Sequence, residues 1–299
     1  MKTPVTVAHI IQWIDELAPF RFAESWDNCG LQVGDPRAEV SRVLVALDPS
    51  LHTVREAARR ACQVLLTHHP LFSKAVATLP LDRPLGAVVA EAIRSNVHIV
   101  SAHTNLDAAA LHGTNDTLAR AMGLAILGPL EGDPGTVQDA RYAGLGLYGL
   151  LAAACSALDL AERLARLVGI QSVRLVGNPE QPVQRVALCT GSGMSLLGRA
   201  IQNDCHAFIT GDVKYHDAQA ALDQGIVVID IGHFASEAFV VAPLAEALAA
   251  AARSRGAVLE VMASTVEKDP FVTVIFNAHR RECVAGAIEI SGGTADSGK

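Results

Sequence analysis

Short apolar runs rich in Val, Ile and Leu recur along the chain, and stretches with helical spacing fill several of the gaps between them. The runs are RVLVAL (42–47), CQVLLT (62–67), VHIVSA (97–102), RVALCT (185–190), HAFIT (206–210) and IVVID (226–230). Residues 49–60 and 196–203 carry helix formers at core spacing. Strand, helix, strand in this rhythm implies parallel pairing, because parallel neighbours need a long crossover and a helix is the usual one. The runs do not alternate apolar with polar residues, so the strands are expected to be buried on both faces. The fold class that follows is α/β, layered, with mixed or parallel sheets. VALDPS leads through a helix to LLTHHP, and VALCTGSG leads through a helix to FITGDVKYH. The matching strands are about twenty residues apart each time, near the size of a βαβ unit, which suggests two similar halves. Between them, Gly128 to Pro182 contains EGDPG, YAGLGLYG and VGNPEQP and reads as loop-rich. The end, SGGTADSGK, reads as a disordered tail.

With 299 residues, half of them apolar, the chain can bury a large core and is expected to form two domains. Its formal charge is -7 and Lys and Arg form no block, which argues against nucleic acid as a partner. Asp15 and Glu16 interrupt the first apolar stretch, unlike a signal peptide. No segment is expected to span a bilayer, the Ala-rich stretch near 238–253 being short and amphipathic. A cytoplasmic protein is expected. The cysteines at 29, 62, 155, 189, 205 and 283 form no CxxC pair and suit reduced thiols.

Ligand-type side chains gather where strands are expected to end, and in parallel sheets those ends form the binding crevice. CQVLLT ends at His68 and His69, VHIVSA at His103 with Asp107 four residues on, and IVVID at His233 with Glu237 four residues on. His233 and Glu237 share a face if a helix begins after Gly232. Three histidines and two carboxylates (His68, His69, His233, Asp107, Glu237) exceed what one catalytic zinc with an open position uses. Two divalent ions bridged by a carboxylate would use all five, and a turn at Pro70 would let the adjacent imidazoles face different ions. Mixed imidazole and carboxylate donors suit Zn, Fe, Mn or Co without separating them. His103, Thr104 and Asn105 are placed to hold Asp107 or to orient a ligand. ITGDVKYHD (209–217) offers Asp212, Lys214, Tyr215 and His216, and His103 and His216 are the candidates for moving protons. TGSGMSLLGRA reads as a tight turn, since it lacks the signatures of phosphate-binding loops. Trp26, Asp27 and Asn28, before two glycines, read as a structured loop to which spacing assigns no role.

WDNCGLQVG, ALDPS, LLTHHPLF, HTNLDAA with GTNDTLA, GSG, ITGDVKYH and GHFASE occur in this order over roughly residues 5–275. In this the chain resembles the GTP cyclohydrolase 1 type 2-like family of dinuclear-metal hexameric proteins, also called YbgI-type. The positions matching that family's two-metal site are His68, His69, Asp107, His233 and Glu237. The resemblance implies two α/β domains with the second inserted in the first, here 1–125 plus 227–276 around 126–226, followed by a partly disordered tail at 277–299. It also implies a toroidal homohexamer with sites facing an internal cavity. The extra mid-chain domain of longer members is absent, and residues after about 277 extend beyond the family pattern. The activity implied is a metal-dependent hydrolase acting on a small molecule, a nucleotide among the candidates. In its specific form hydroxide attacks C8 of GTP, opens the imidazole ring and releases formate. A phosphoester hydrolase and a metal-containing scaffold or regulatory binding protein without turnover are the other readings.

Overall fold

The computed structural model describes residues 4–133, 143–277 and 280–285. The segment expected to be a disordered tail, 291–299, and the Cys283 side chain lie outside the described residues. Cys29, Cys62, Cys155, Cys189 and Cys205 are all free thiols.

The first sheet is built from β1 (Gly30–Val33), β2 (Arg42–Ala46), β3 (Val64–Thr67), β4 (His98–Ser101) and, from far along the chain, β11 (Glu260–Ala263), in the order β1-β4-β3-β2-β11. β4, β3, β2 and β11 are parallel, and β1 joins β4 antiparallel at one edge. Successive residues of β2 enter opposite cores. Val43 and Val45 pack with α1 (Val7–Leu17) and α10 (Val241–Ser254), whereas Leu44 and Ala46 pack with α2 (Leu51–Arg59) and α3 (Pro84–Arg94). Helices on both faces explain the uninterrupted apolar runs, because neither side of the strand meets water. Ser50 caps α2 by accepting the Thr53 amide at 3.1 Å, fixing the crossover from β2 to β3.

The second sheet has the order β5 (Ala125–Asp133), β6 (Ala143–Ser156), β8 (Pro182–Leu188), β9 (Ala207–Thr210), β10 (Val227–Asp230), β7 (Arg174–Val176). β8, β9 and β10 are parallel, and both edges are antiparallel. α5 (Thr114–Ala121) and α6 (Ala157–Val168) cover one face over Val186, Ile209 and Ile229; α7 (Leu197–Gln202) and α8 (Tyr215–Asp223) cover the other over Ala187, Phe208 and Val228. The two βαβ units, β2-α2-β3 and β8-α7-β9, are the repeat seen in the sequence.

Three expectations change. The Gly128–Pro182 stretch contains the 14-residue strand β6 and helix α6; its glycines serve close strand approach, as at Gly149, where a Cβ would meet the Ala125 carbonyl oxygen at 2.5 Å. A domain boundary at 226/227 falls one strand early, because β10 pairs with β9 and β7. Residues from 277 on include β13 (Arg280–Ala285), paired antiparallel with β12 (Val272–Asn277) in a separate hairpin. In addition, α9 (His233–Ala238) runs nearly into α10, and His233–Ser254 is long and apolar enough to cross a membrane by length and composition, contrary to expectation. Its Val241, Leu244 and Leu248 are buried in the core under the first sheet, which accounts for the composition.

Candidate metal centre

Both sheets turn the C-terminal ends of their parallel strands toward one place. After β2 comes Asp48, after β3 His68 and His69, and after β4 His103; after β8 comes Gly191, after β9 Asp212, and after β10 His233 at the start of α9. Glu237 follows one turn later on the same short helix, and α4 (Thr104–Asp107) carries Asp107. A crevice at strand ends is where parallel sheets place ligands, and here two such edges face each other.

The adjacent histidines are not sent apart. β3 pairing continues past Thr67, with the His68 amide donating to the Ala46 carbonyl (3.2 Å) and the His69 amide to Leu47 (2.9 Å). The two rings tilt toward one another with centroids 5.0 Å apart. Each of the four imidazoles in the cluster has an acceptor at Nδ1. His68 donates to the Ala102 carbonyl (3.0 Å), His69 to Asp48 (2.8 Å), His103 to Asp27 (2.9 Å) and His233 to Asp212 (2.7 Å). A proton held at Nδ1 leaves Nε2 as the ring's lone-pair nitrogen, which is how metal-binding histidines are oriented.

Glu237, almost fully buried, stands between two groups of donors. Its Oε2 is 2.9 Å from Nε2 of both His69 and His233, and those nitrogens are 3.4 Å apart. Its Oε1 is 3.7 Å from Nε2 of His68, which in turn lies 3.6 Å from Oδ1 of Asp107. Donors about 2.1 Å from a tetrahedral zinc stand about 3.4 Å from one another. The residues therefore fit a metal ion, and the strongest sign is His68 Nε2 itself: buried, with no hydrogen-bond partner among the described residues. At 3.6 and 3.7 Å neither carboxylate satisfies it. His68, His69 and His103 also bring one donor atom each within 4.8 Å of the others, as do His69, His233 and Glu237.

The electrostatics agree. Burial would disfavour charge on Glu237, but His68, His233 and His69 around it hold its carboxyl well below the usual range. Burial also works against protonation of His69, yet hydrogen bonds to Asp48 and Glu237 lift it to about 10; the Glu237 hydrogen bond leads the lift of His233 to about 9. Burial raises Asp107. Without a cation the site thus gathers protons, and a divalent ion would replace them.

Several sequence expectations are redrawn. Asp107 is held by Thr114, whose hydroxyl donates to Oδ1 at 2.6 Å, and by Asn115, which donates to its carbonyl at 3.0 Å. The side chains of His103, Thr104 and Asn105 do not hold it, since His103 and Thr104 bond Asp27 and Asn105 donates to the Ala18 carbonyl at 2.7 Å; the His103 carbonyl accepts the Asp107 amide at 3.0 Å. His216 lies exposed on α8, its ring against Tyr215, and has no bond to the cluster among the described residues. Two groups escaped the strand-end reasoning. Asp48 backs His69, and Asp27 accepts from His103 and from the amide of Thr104 (3.0 Å), which gives the Trp26–Asn28 loop a role at the site. The strand-end rule applied to ALDPS could have found Asp48, whereas nothing local marks Asp27. Gly191 of the GSG turn sits in the left-handed region (φ 66°) against Oε1 of Glu237, a position with no room for a Cβ.

The comparisons with known proteins identify the chain's relatives. A protein named GTP cyclohydrolase 1 type 2 homolog from Clostridium perfringens is 30% identical over 266 residues, covering 88% of this chain and 97% of the relative. One of the same name from Streptomyces coelicolor is 36% identical, covering 77% and 81%. The crystal structure of Staphylococcus aureus hypothetical protein SA1388 superposes with a TM-score of 0.82 at 32% identity, covering 90% of this chain and 99% of that one. Since the sequence profile of the Duf34/NIF3 (NGG1p interacting factor 3) family also matches residues 5–270, the chain belongs to that family.

Proposed function

We propose that the cluster holds two divalent metal ions and that the protein is a metal-dependent hydrolase of a small molecule. The observation that carries this reading is the two-sided setting of Glu237, with Oε2 facing His69 and His233 and Oε1 facing the orphaned His68 beside Asp107. On this reading His69 and His233 would hold one ion and His68 and Asp107 the other, with the Glu237 carboxylate available to both. Ions bound there would supply Lewis acidity and a hydroxide nucleophile near neutral pH. Asp48 and Asp212 fix the rings of His69 and His233, so that the donors need not reorganise when substrate arrives. His103 is the group we assign to proton transfer, because it is half-buried at the edge of the cluster with its Nδ1 anchored to Asp27.

The relatives' name supplies the first reaction to assay, opening of the GTP imidazole ring with release of formate, although no side chain in the cluster reads guanine or triphosphate. The hexamer and the cytoplasmic setting implied by the resemblance belong to the same proposal. The test incubates metal-loaded protein with GTP and with a panel of phosphoesters, and measures formate, dihydroneopterin triphosphate and phosphate beside Glu237→Gln. Two ions per chain and turnover lost in the variant are expected. One ion or none per chain would overturn the two-metal site. Two ions without turnover on any substrate, with chelation lowering Tm, would favour the scaffold reading instead.

A further inference from the structure

Next to His69 and His233 a cleft of ≈ 700 Å³ opens between the end of β10, the loop before β7 and the C-terminal hairpin. That volume suits a small organic molecule. The charged groups lining it already have partners inside the protein. Asp48 and Asp212 hold the two histidines, Asp230 accepts from the Val213 and Gly232 amides, and Asp269 accepts from the Phe271 amide. Arg174, the one guanidinium, donates to the Val213 carbonyl at 2.6 Å and lies 3.5 Å from Asp230. Among the described residues, Arg174 is the one Lys or Arg side chain lining the cleft, against four carboxylates, so outside the metal centre its charge does not favour a phosphate chain. Most of the remaining contact surface is apolar, from Ile170, Val173, Ile231, Phe234, Phe271 and Val272, with Gln171, Ser172 and Thr273 as its uncharged polar groups. Phe271 and Val272 are 76% and 58% exposed at the mouth and lie beyond residue 270, where the family match ends.

We infer that this cleft binds the uncharged, apolar body of the substrate, with Phe271 as a specificity-determining wall supplied by this chain's own hairpin. The inference rests on the hydrolase reading for the word substrate, and the two are tested separately. The full-length, zinc-loaded protein is titrated with the neutral fluorophore N-phenyl-1-naphthylamine and with an N-methylanthraniloyl derivative of GTP. The naphthylamine should bind at one equivalent per chain, at least tenfold more tightly than the nucleotide. Phe271→Ser should weaken it about tenfold, as expected for loss of much of a phenyl ring's burial. Val258→Ser, at an exposed apolar residue away from the cleft, should leave it unchanged. Tighter nucleotide binding, equal effects of the two substitutions, or no naphthylamine binding would each overturn the inference. So would dissociation of an oligomer by Phe271→Ser in light scattering, which would show that a second copy covers this residue. Metal content is measured on the same samples. Fewer than two ions per chain overturns the two-metal reading, while naphthylamine binding continues to test the cleft.

Discussion

Replacing Gly191 by alanine isolates the position of Glu237 from every other property of the site. Gly191 has φ 66°, where an L-residue is strained by about 1–2 kcal/mol. Its Cβ would overlap Oε1 of Glu237, so the carboxylate must withdraw by roughly 1 Å or more to restore contact distance. Gly225 supplies the matched control: φ is 70°, and a Cβ added there meets nothing within 4 Å. The strained φ alone should lower Tm by about 2–4 °C per kcal/mol for a chain near this size, which is the whole effect expected at Gly225 and the least expected at Gly191. Only Gly191→Ala should disturb the bridge. Misplacing one supporting group of a metal site commonly costs 10–100-fold in affinity, and about that loss is expected here. The assay is competition for zinc or cobalt against a chromophoric chelator, with the metal-to-protein ratio measured after gel filtration. If Gly191→Ala and Gly225→Ala bind metal equally well, Oε1 of Glu237 is not a donor and the two-sided arrangement is refuted.

Asp27→Asn should leave metal content unchanged and lower turnover about 10–100-fold, read as kcat, because it removes the anion that orients His103 and the Thr104 amide; loss of metal instead would make His103 a ligand. His216→Ala should stay within about twofold of the parent while His103→Ala falls far below it, since the first residue is exposed on α8 and the second adjoins the cluster. In metal-free protein His69 and His233 are raised to about 10 and about 9, above their ordinary value. Their stabilising contribution is full below about pH 6.5 and is lost as pH rises through 9 to 10. Calorimetry of chelated protein should therefore show Tm falling over that upper range, with zinc-loaded protein lacking this component. A chelated Tm that rises there would refute the assignment. The same protons must leave when metal binds, and His68 and Asp107 are raised as well, so calorimetric titration at pH 7.5 in buffers of different ionisation enthalpy should register at least two protons released per chain.

The parts of this site that were legible in the sequence are those fixed by strand termination. His68, His69 and His233 each follow an apolar run whose residues are all buried, and a buried parallel strand can end only where its edge meets the crevice. His216 lies apart from the cluster for a reason of the same kind. It follows β9, but α8 begins at Tyr215, and only Asp212, before the helix, still lies at the strand end. The glycine-rich YAGLGLYG misled because glycine marks both loops and the close approach of two strands, and only the β5–β6 register distinguishes them. The roles of Asp27 and Gly191 were not legible for a deeper reason. Asp27 meets a histidine 76 residues away, and Gly191 is required by a carboxylate on another element. Their roles exist only once two sheets from distant stretches of chain have brought their edges together. The donors of such a centre can thus be read one strand at a time, while the groups that aim them depend on the docking of the halves. It follows that substitutions at Asp27 and Gly191 should impair the site without unfolding either sheet, because neither residue is among the apolar side chains that pack the sheets against their helices.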